Sequence, residues 1–180
     1  MTVPVETKPS LLTRVFGRRA DDHAGVRPLW HRIVAIAREK PWYAQGGIAD
    51  TVGGRFDAIT LVLSLAMLRM ETVEALKAPS VLLTELFVTD MDGQLRESGV
   101  GDMVVGKHIG RLMSVVGGRL GAYRTALADA DDAALTAAIA RNVNLIDGAD
   151  PAVVAAIARH LAEQLATLSD DAVLAGEIPR

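Results

Sequence analysis

Apolar residues recur at intervals of three and four along most of the chain, the spacing that places them on one face of an α-helix. Proline, glycine and aspartate interrupt this pattern and mark the joints between successive helices. The pattern predicts a helix over 28–39, a loop over 42–54 and a longer helix over 56–77. Apolar residues surround most of the longer helix, so we expect it to lie in the middle of a bundle.

The second half of the chain continues the helical pattern. Glycines at 99 and 101 end one helix, another extends over 102–128, and a third runs to about 143. Proline, aspartate and serine are preferred in the cap and first turn of a helix. On this basis the later helices are predicted to begin at Pro79, Asp102, Asp131 or Asp132, Asp150-Pro151 and Ser169.

The composition agrees with closely packed helices. The chain has 180 residues, which suits one domain, and 50% of them are hydrophobic while only 4% are aromatic. Such a core is built mainly from Ala, Leu, Val and Ile. We therefore predict an all-α, single-domain bundle of about six to seven helices over 11–180, preceded by a mobile N-terminus over 1–10.

Charge and cysteine content exclude several classes of function. The formal net charge is -3 and no basic stripe interleaves with aromatic residues, so direct nucleic-acid binding is not expected. The absence of cysteine excludes disulfides, thiolate metal sites and a cysteine nucleophile. The histidines lack metal-site spacing, and no cofactor is expected. The apolar run over 58–68 is shorter than the roughly 20 residues of a spanning helix, so we expect a soluble, cytoplasmic protein.

A short basic segment near the N-terminus has the pattern of an amphipathic helix. Its apolar and basic side chains suit peripheral contact with an anionic bilayer, such as the inner membrane. The alternative is that the segment caps the bundle. The candidate membrane-contact residues are Leu11, Leu12, Arg14, Val15, Phe16, Arg18 and Arg19.

Two segments resemble motifs of phosphate chemistry. Residues 88–95 resemble the nucleophile loop of haloacid-dehalogenase-type phosphohydrolases, with Asp90 as nucleophile and Asp92 as acid and base. That loop follows a buried strand, and no alternation of strands and helices is present here. Residues 101–107 match the start of a phosphate-binding loop, but His108 stands where that loop needs Ser or Thr. A phosphohydrolase using Asp90 and Asp92 is therefore the alternative function.

The helix that carries these aspartates has charge on its apolar side. At about 100° per residue, Asp90 and Glu97 lie on the stripe of buried leucines, and a buried carboxylate requires a cationic or hydrogen-bonding partner. Asp92 and Arg96 lie together on the opposite face, where an exposed pair is expected. The candidate partners for Asp90 are Arg55, Arg69 and Arg96.

The helix over 102–128 is unusually rich in glycine, with Gly106, Gly110, Gly117, Gly118 and Gly121. Each glycine costs about 1 kcal/mol relative to alanine in a helix interior. Close approach of another helix would offset this cost. We favour packing within the bundle, and the alternative is a groove that accepts a helix from a partner.

Three segments together resemble the ubiquinol-cytochrome c chaperone family. The longest, LFVTDMDGQLRESGVGDMVVGK over 86–107, resembles the signature of that family. The DT and GRFD elements within 50–57 are similar to its second hallmark, and PWY at 41–43 is similar to its proline-aromatic-tyrosine element. The resemblance covers residues 30–127 and is more specific than either phosphate motif.

The resemblance implies a non-enzymatic, α-helical assembly factor for the cytochrome bc complex (complex III). Family members bind newly made cytochrome b before it acquires its haems and partner subunits, and mitochondrial members work with a small helical protein and associate with ribosomes. The lack of a mitochondrial-style presequence suggests a bacterial member, and AITLVL at 58–63 stands where the family has a histidine. The candidate partner-binding or motif residues are Arg55, Asp90, Asp92, Arg96, Glu97, Asp102 and Lys107.

Overall fold

Seven α-helices follow one another within residues 22–97 and 102–179, the parts of the chain that the computed structural model describes. Side chains are described for residues 22–94 and 110–179. The helices are α1 (Arg27–Ala37), α2 (Val52–Glu71), α3 (Lys77–Glu97), α4 (Asp102–Ala128), α5 (Ala133–Asn142), α6 (Pro151–Thr167) and α7 (Asp170–Leu174). A π-helical turn (Pro41–Gln45) follows α1, and a 3₁₀ turn (Glu74–Leu76) precedes α3. The predicted all-α fold is confirmed.

Helix α2 lies in the centre of the bundle, as its apolar circumference predicts. It packs against α1, α3, α4 and α6. Four of its residues that are close together in sequence are all buried: Leu61, Val62, Leu63 and Leu65. Since neighbouring residues of a helix point about 100° apart, their common burial requires packing partners on several sides.

The start of α2 differs from the prediction because Thr51 supplies an N-cap. The Thr51 hydroxyl accepts a hydrogen bond from the backbone N–H of Gly54 at 3.1 Å, so the helix begins at Val52 instead of residue 56. Glycine is required at position 54, because a Cβ there would lie 1.9 Å from the carbonyl oxygen of Ala49. The loop predicted over 42–54 is therefore shorter, since it also contains the π-helical turn.

The caps predicted for the last two helices are confirmed. The Asp150 carboxylate accepts a hydrogen bond from the first turn of α6 at 2.9 Å, and Pro151 occupies the first helical position. The Ser169 hydroxyl does the same for α7 at 3.2 Å. At α5, the Asp131 carboxylate bonds the backbone of the first turn, whereas the Asp132 side chain makes no capping bond.

Arg69 anchors α2 to the C-terminal end of α6. Its guanidinium donates to the carbonyl oxygens of Leu165 and Leu168 at 3.0 and 2.8 Å, and pairs with Asp170 at 2.8 Å. A cation at this position satisfies carbonyl groups that have no partner inside the helix. Arg69 is therefore committed to this joint and is not the predicted partner of Asp90.

The glycines of α4 whose surroundings are described do not contact a neighbouring helix. At Gly110, Gly117, Gly118 and Gly121 an added Cβ would meet no heavy atom within 4 Å. The favoured prediction of packing within the bundle is wrong for these positions as far as the structure describes the chain, because the face that they share points away from the other described helices. Gly106 lies where side-chain surroundings are not described.

The N-terminal predictions lie outside the described residues. They concern the mobile segment over 1–10 and the basic segment with Leu11, Leu12, Arg14, Val15, Phe16, Arg18 and Arg19. Their bilayer contact stays a prediction. Among the helices that the structure describes, none combines the length and the apolar character needed to cross a membrane.

Candidate functional site

A groove of about 980 Å³ opens between the end of α1, the start of α2, the second half of α3 and the middle of α4. Its floor is apolar and consists of Phe56, Ile59, Met91 and Leu112. Val52 stands at its edge with 89% of its surface exposed. An exposed apolar side chain beside an apolar concavity is typical of a binding surface.

The π-helical turn shapes one rim of the groove. Pro41 cannot continue the hydrogen bonding of α1, and two aromatic side chains take over the last carbonyl groups of that helix. The Trp42 indole N–H donates to the carbonyl of Ile36 at 2.9 Å, and the Tyr43 hydroxyl donates to that of Ala37 at 2.8 Å. These bonds hold the turn against α1 and direct Tyr43 along the groove.

The connection that follows is held by backbone contacts with the segment between α5 and α6. Gly47 has a φ of +70°, a conformation that favours glycine. Its carbonyl accepts a hydrogen bond from the N–H of Ile146 at 2.8 Å, and the Ala49 N–H donates to the carbonyl of Asn144 at 2.9 Å. The rim of the groove is thereby joined to the connection between α5 and α6.

The rim carries positive charge. Arg55 pairs with Asp50 at 2.6 Å, and this hydrogen bond lowers the pKa of Asp50 and raises the pKa of Arg55. Arg38 and Lys40 also line the groove. Within the residues whose side chains are described, neither of these two side chains forms an ion pair or hydrogen bond. Burial raises the pKa of Tyr43, and Asp50 adds to the effect while Arg55 and Arg38 oppose it.

The floor is fixed from below by aromatic stacking. The Phe56 ring lies 6.5 Å from that of Phe87, which meets the Trp30 ring edge to face at 6.0 Å. On another side, the guanidinium carbon of Arg119 lies 5.5 Å from the centre of the Phe56 ring, a cation–π geometry. Phe56 is therefore held by contacts from α3 and α4, and Trp30 of α1 holds Phe87 in turn.

A buried ion pair beside Phe56 joins three parts of the fold. The Asp57 carboxylate accepts a hydrogen bond from Arg119 at 2.6 Å and from the backbone N–H of Asn144 at 2.9 Å. The Asn144 side-chain amide also donates to it, at 2.5 Å. Arg119 bonds the Thr60 hydroxyl at the same time. Asp57 thus links α2 to α4 and to the segment before α6.

Sequence reasoning missed this ion pair. Asp57 was identified only as part of a family element, and its partners Arg119 and Asn144 were not identified at all. They lie 62 and 87 residues further along the chain, where no local pattern connects them with Asp57. The one available signal was Asp57 itself, a charged residue directly before the long apolar run of the central helix.

The prediction for Asp90 requires correction. Asp90 is exposed rather than buried, and neither Arg55 nor Arg69 is its partner, while the Arg96 side chain lies outside the described ones. Its carboxylate accepts a hydrogen bond from the indole N–H of Trp30 at 2.6 Å. Trp30 is 3% exposed, so its N–H needs an acceptor at the border between α1 and α3, and Asp90 supplies it there. Arg55 instead pairs with Asp50.

The remaining predicted residues are only partly described. Asp92 is half-buried on α3. The side chains of Arg96, Glu97, Asp102 and Lys107 lie outside the described ones, so their binding roles and the Asp92–Arg96 pair stay predictions. Both phosphate motifs fall largely within helices: Asp90 and Asp92 belong to the continuous helix α3, and residues 102–107 belong to α4. Neither motif forms the loop after a strand that phosphate chemistry requires.

Comparisons with known proteins identify relatives of the chain. The sequence model of the ubiquinol-cytochrome c chaperone family matches residues 44–178. Among solved structures, the crystal structure of the Cbp3 homolog from Brucella abortus is similar, with a TM-score of 0.76 and 35% sequence identity. That similarity covers 93% of this chain and 95% of the other. Comparison with curated proteins gives no significant match.

Proposed function

The chain belongs to the ubiquinol-cytochrome c chaperone family, and on that basis we propose that it is an assembly chaperone for the cytochrome bc complex, with newly made cytochrome b as its client. One observation supports a particular surface as the client site, namely the place where the family segments meet. The three segments that resemble the family meet at the groove: Tyr43 comes from the first, Arg55 and Phe56 from the second, and Met91 and Gln94 from the third. Segments far apart in sequence thus form one continuous surface.

The groove suits a helical client. An α-helix is about 10 Å in diameter and rises 5.4 Å per turn, so a space of about 980 Å³ accommodates roughly two turns. Cytochrome b consists of apolar helices, and an apolar helix side laid into an apolar groove is a common mode of recognition. Phe56, Ile59, Met91 and Leu112 supply that apolar floor.

We further propose that the protein acts without a catalytic step. The alternative phosphohydrolase would need Asp90 and Asp92 side by side in one pocket. They lie two residues apart in a helix, about 200° around its axis, and the Asp90 carboxylate bonds Trp30. A direct assay with magnesium and a generic phosphoester checks this: we expect no release of phosphate above the level of an Asp90→Asn variant.

The proposed client site is tested by placing a charge at its edge. Val52→Asp puts a carboxylate on an exposed side chain at the first position of α2, where a negative charge favours the helix. The matched control is Val81→Asp, which changes a residue of α3 that is 58% exposed and does not line the groove. Both variants should fold like the parent protein.

The measurement is recovery of apo-cytochrome b with each tagged variant from membranes. Desolvating a carboxylate against an apolar helix is unfavourable, so we expect Val52→Asp to recover at least about 10-fold less apo-cytochrome b than the parent. Val81→Asp should recover as much as the parent. Equal recovery by all three proteins would place the client elsewhere, and absence of cytochrome b from every sample would refute the proposed client.

The other predicted partners stay predictions. A small helical partner, the ribosome and the inner membrane follow from the family resemblance or from the basic N-terminal segment. An assembly factor differs from a structural subunit in stoichiometry. We therefore expect the protein to be substoichiometric to the mature cytochrome bc complex and enriched when assembly is stalled, which quantitative mass spectrometry of membrane complexes measures.

A further inference from the structure

We infer that the groove selects apolar helical segments that carry a carboxylate at the end beside Arg38 and Lys40. This inference rests on the proposed function, since it specifies the chemistry of the client at the same surface. An apolar floor alone does not distinguish the two ends of a bound segment or the sign of their charge, whereas cations at one end of the groove do.

The rim shows which charges are available. Arg55 is already paired with Asp50. Glu39 lies between Arg38 and Lys40 in sequence, but its carboxylate pairs with Arg32 at 3.2 Å. Arg38 and Lys40 are thus left as the cations of the groove without a partner among the described side chains. Since Arg55 and Asp50 together are neutral, the lining residues that the structure describes retain an excess of positive charge on the side of α1.

Charge complementarity therefore favours an acidic occupant. A cation at the edge of an apolar surface is weakly screened by water on one side, and it attracts an opposite charge more strongly there than on an open surface. A helix whose apolar side lies on Phe56 and Leu112 would place a terminal Asp or Glu near Arg38 and Lys40. A basic end at the same place would meet like charge, which opposes binding.

The shape of the site favours a protein segment over a lipid surface. The phosphates of a bilayer lie in a plane, whereas Arg38 and Lys40 border a concave space with its apolar floor inside. A single helical segment enters such a space, and a flat membrane surface does not. The occupant to which the structure points is therefore a protein helix with an acidic end.

The test uses the full-length protein and three synthetic helical peptides of about 15 residues, long enough for several turns. The peptides share one apolar side and differ at one end, which carries two Glu, two Gln or two Lys. Fluorescence anisotropy measures their Kd at low and at high salt. We expect the Glu peptide to bind about 3- to 10-fold more tightly than the Gln peptide at low salt, as two partly exposed ion pairs would produce. High salt should reduce this preference.

Charge variants of the rim provide the decisive comparison. Arg38 and Lys40 are exposed, so the double variants R38Q/K40Q and R38E/K40E should fold. The first should abolish the preference for the Glu peptide, and the second should reverse it in favour of the Lys peptide. The matched control is R27E/R141E, which changes the net charge by the same amount as R38E/K40E at exposed residues outside the groove. It should bind the three peptides in the same order of affinity as the parent protein.

The possible failures are distinguishable. If all three peptides bind equally and Val52→Asp weakens them all, the client groove stands and the charge preference is refuted. If no peptide binds, the groove of the proposed function is refuted as well. If R38E/K40E loses sedimentation with anionic vesicles while peptide binding is unchanged, the cations serve a lipid surface and the inference is overturned.

Discussion

Replacement of Asp57 by alanine removes the acceptor at the centre of the buried ion pair. The Asp57 side chain is 3% exposed and its partner Arg119 is 12% exposed. Asp57→Ala leaves the Arg119 charge without a carboxylate, and it leaves the backbone N–H and the side-chain amide of Asn144 without their acceptor. The substitution therefore strands donors in a place that water reaches poorly.

The magnitude follows from these contacts. Removing one partner of a buried ion pair costs about 3–5 kcal/mol. Arg119 keeps its hydrogen bond to Thr60 and its position over Phe56, so the lower end applies, about 3 kcal/mol. With an m-value of about 2 kcal/mol per molar urea, the midpoint of unfolding should fall by about 1.5 M. A loss of this size is a large part of the stability of an ordinary domain.

The assay is urea unfolding followed by the helical circular dichroism signal. Asp50→Ala is the matched control, because it breaks the exposed pair with Arg55 and should leave the midpoint unchanged. A double variant, Asp57→Ala with Arg119→Met, removes both charges and should be more stable than Asp57→Ala alone. If Asp57→Ala unfolds at the urea concentration of the parent protein, the carboxylate does not hold α2, α4 and the segment before α6 together.

Two further predictions concern single polar groups. Burial raises the pKa of Tyr123 to about 12, so between pH 10 and 12 only the unfolded chain releases this proton, and the free energy of unfolding falls by about 1.4 kcal/mol per pH unit. Tyr123→Phe should lack this fall when the free energy of unfolding is measured by urea titration at pH 8 and pH 11. If the parent protein and Tyr123→Phe lose the same stability between these pH values, the role assigned to Tyr123 is refuted. Asp90→Ala should cost about 1 kcal/mol in thermal or urea unfolding, since a mostly buried indole N–H loses its acceptor. Asp90→Asn keeps an acceptor and should cost less; identical melting of all three proteins would contradict this role.

The elements of this fold are readable from the sequence because their signals are local. Asp150 and Ser169 act as caps through bonds to their own helices, and the apolar circumference of α2 shows its central place without knowledge of any partner. The predicted start of α2 is wrong because Gly53 and Gly54 in its first turn do not carry an apolar pattern. Gly54 is needed there by the approach of Ala49, a contact that the sequence does not reveal.

The candidate site was predictable only in part, because it depends on distant contacts. The family segments point to the groove, and Arg55, one of their residues, lines it, although its binding role stays a prediction. Asp90 was predicted to be buried because helical periodicity gives the direction of a side chain but not how far the neighbouring helix extends. Its acceptor role depends on Trp30, which lies 60 residues away.

The open glycine face of α4 implies that the helices differ in how readily they unfold locally. Each of Gly110, Gly117 and Gly121 costs about 1 kcal/mol of helical stability relative to alanine, and no contact at their Cβ positions offsets it. In native-state hydrogen exchange, amides around these glycines should lose protection at a lower free energy of opening than those of α2. The helix that contributes Leu112 to the groove should thus open locally more readily than α2, which contributes Phe56.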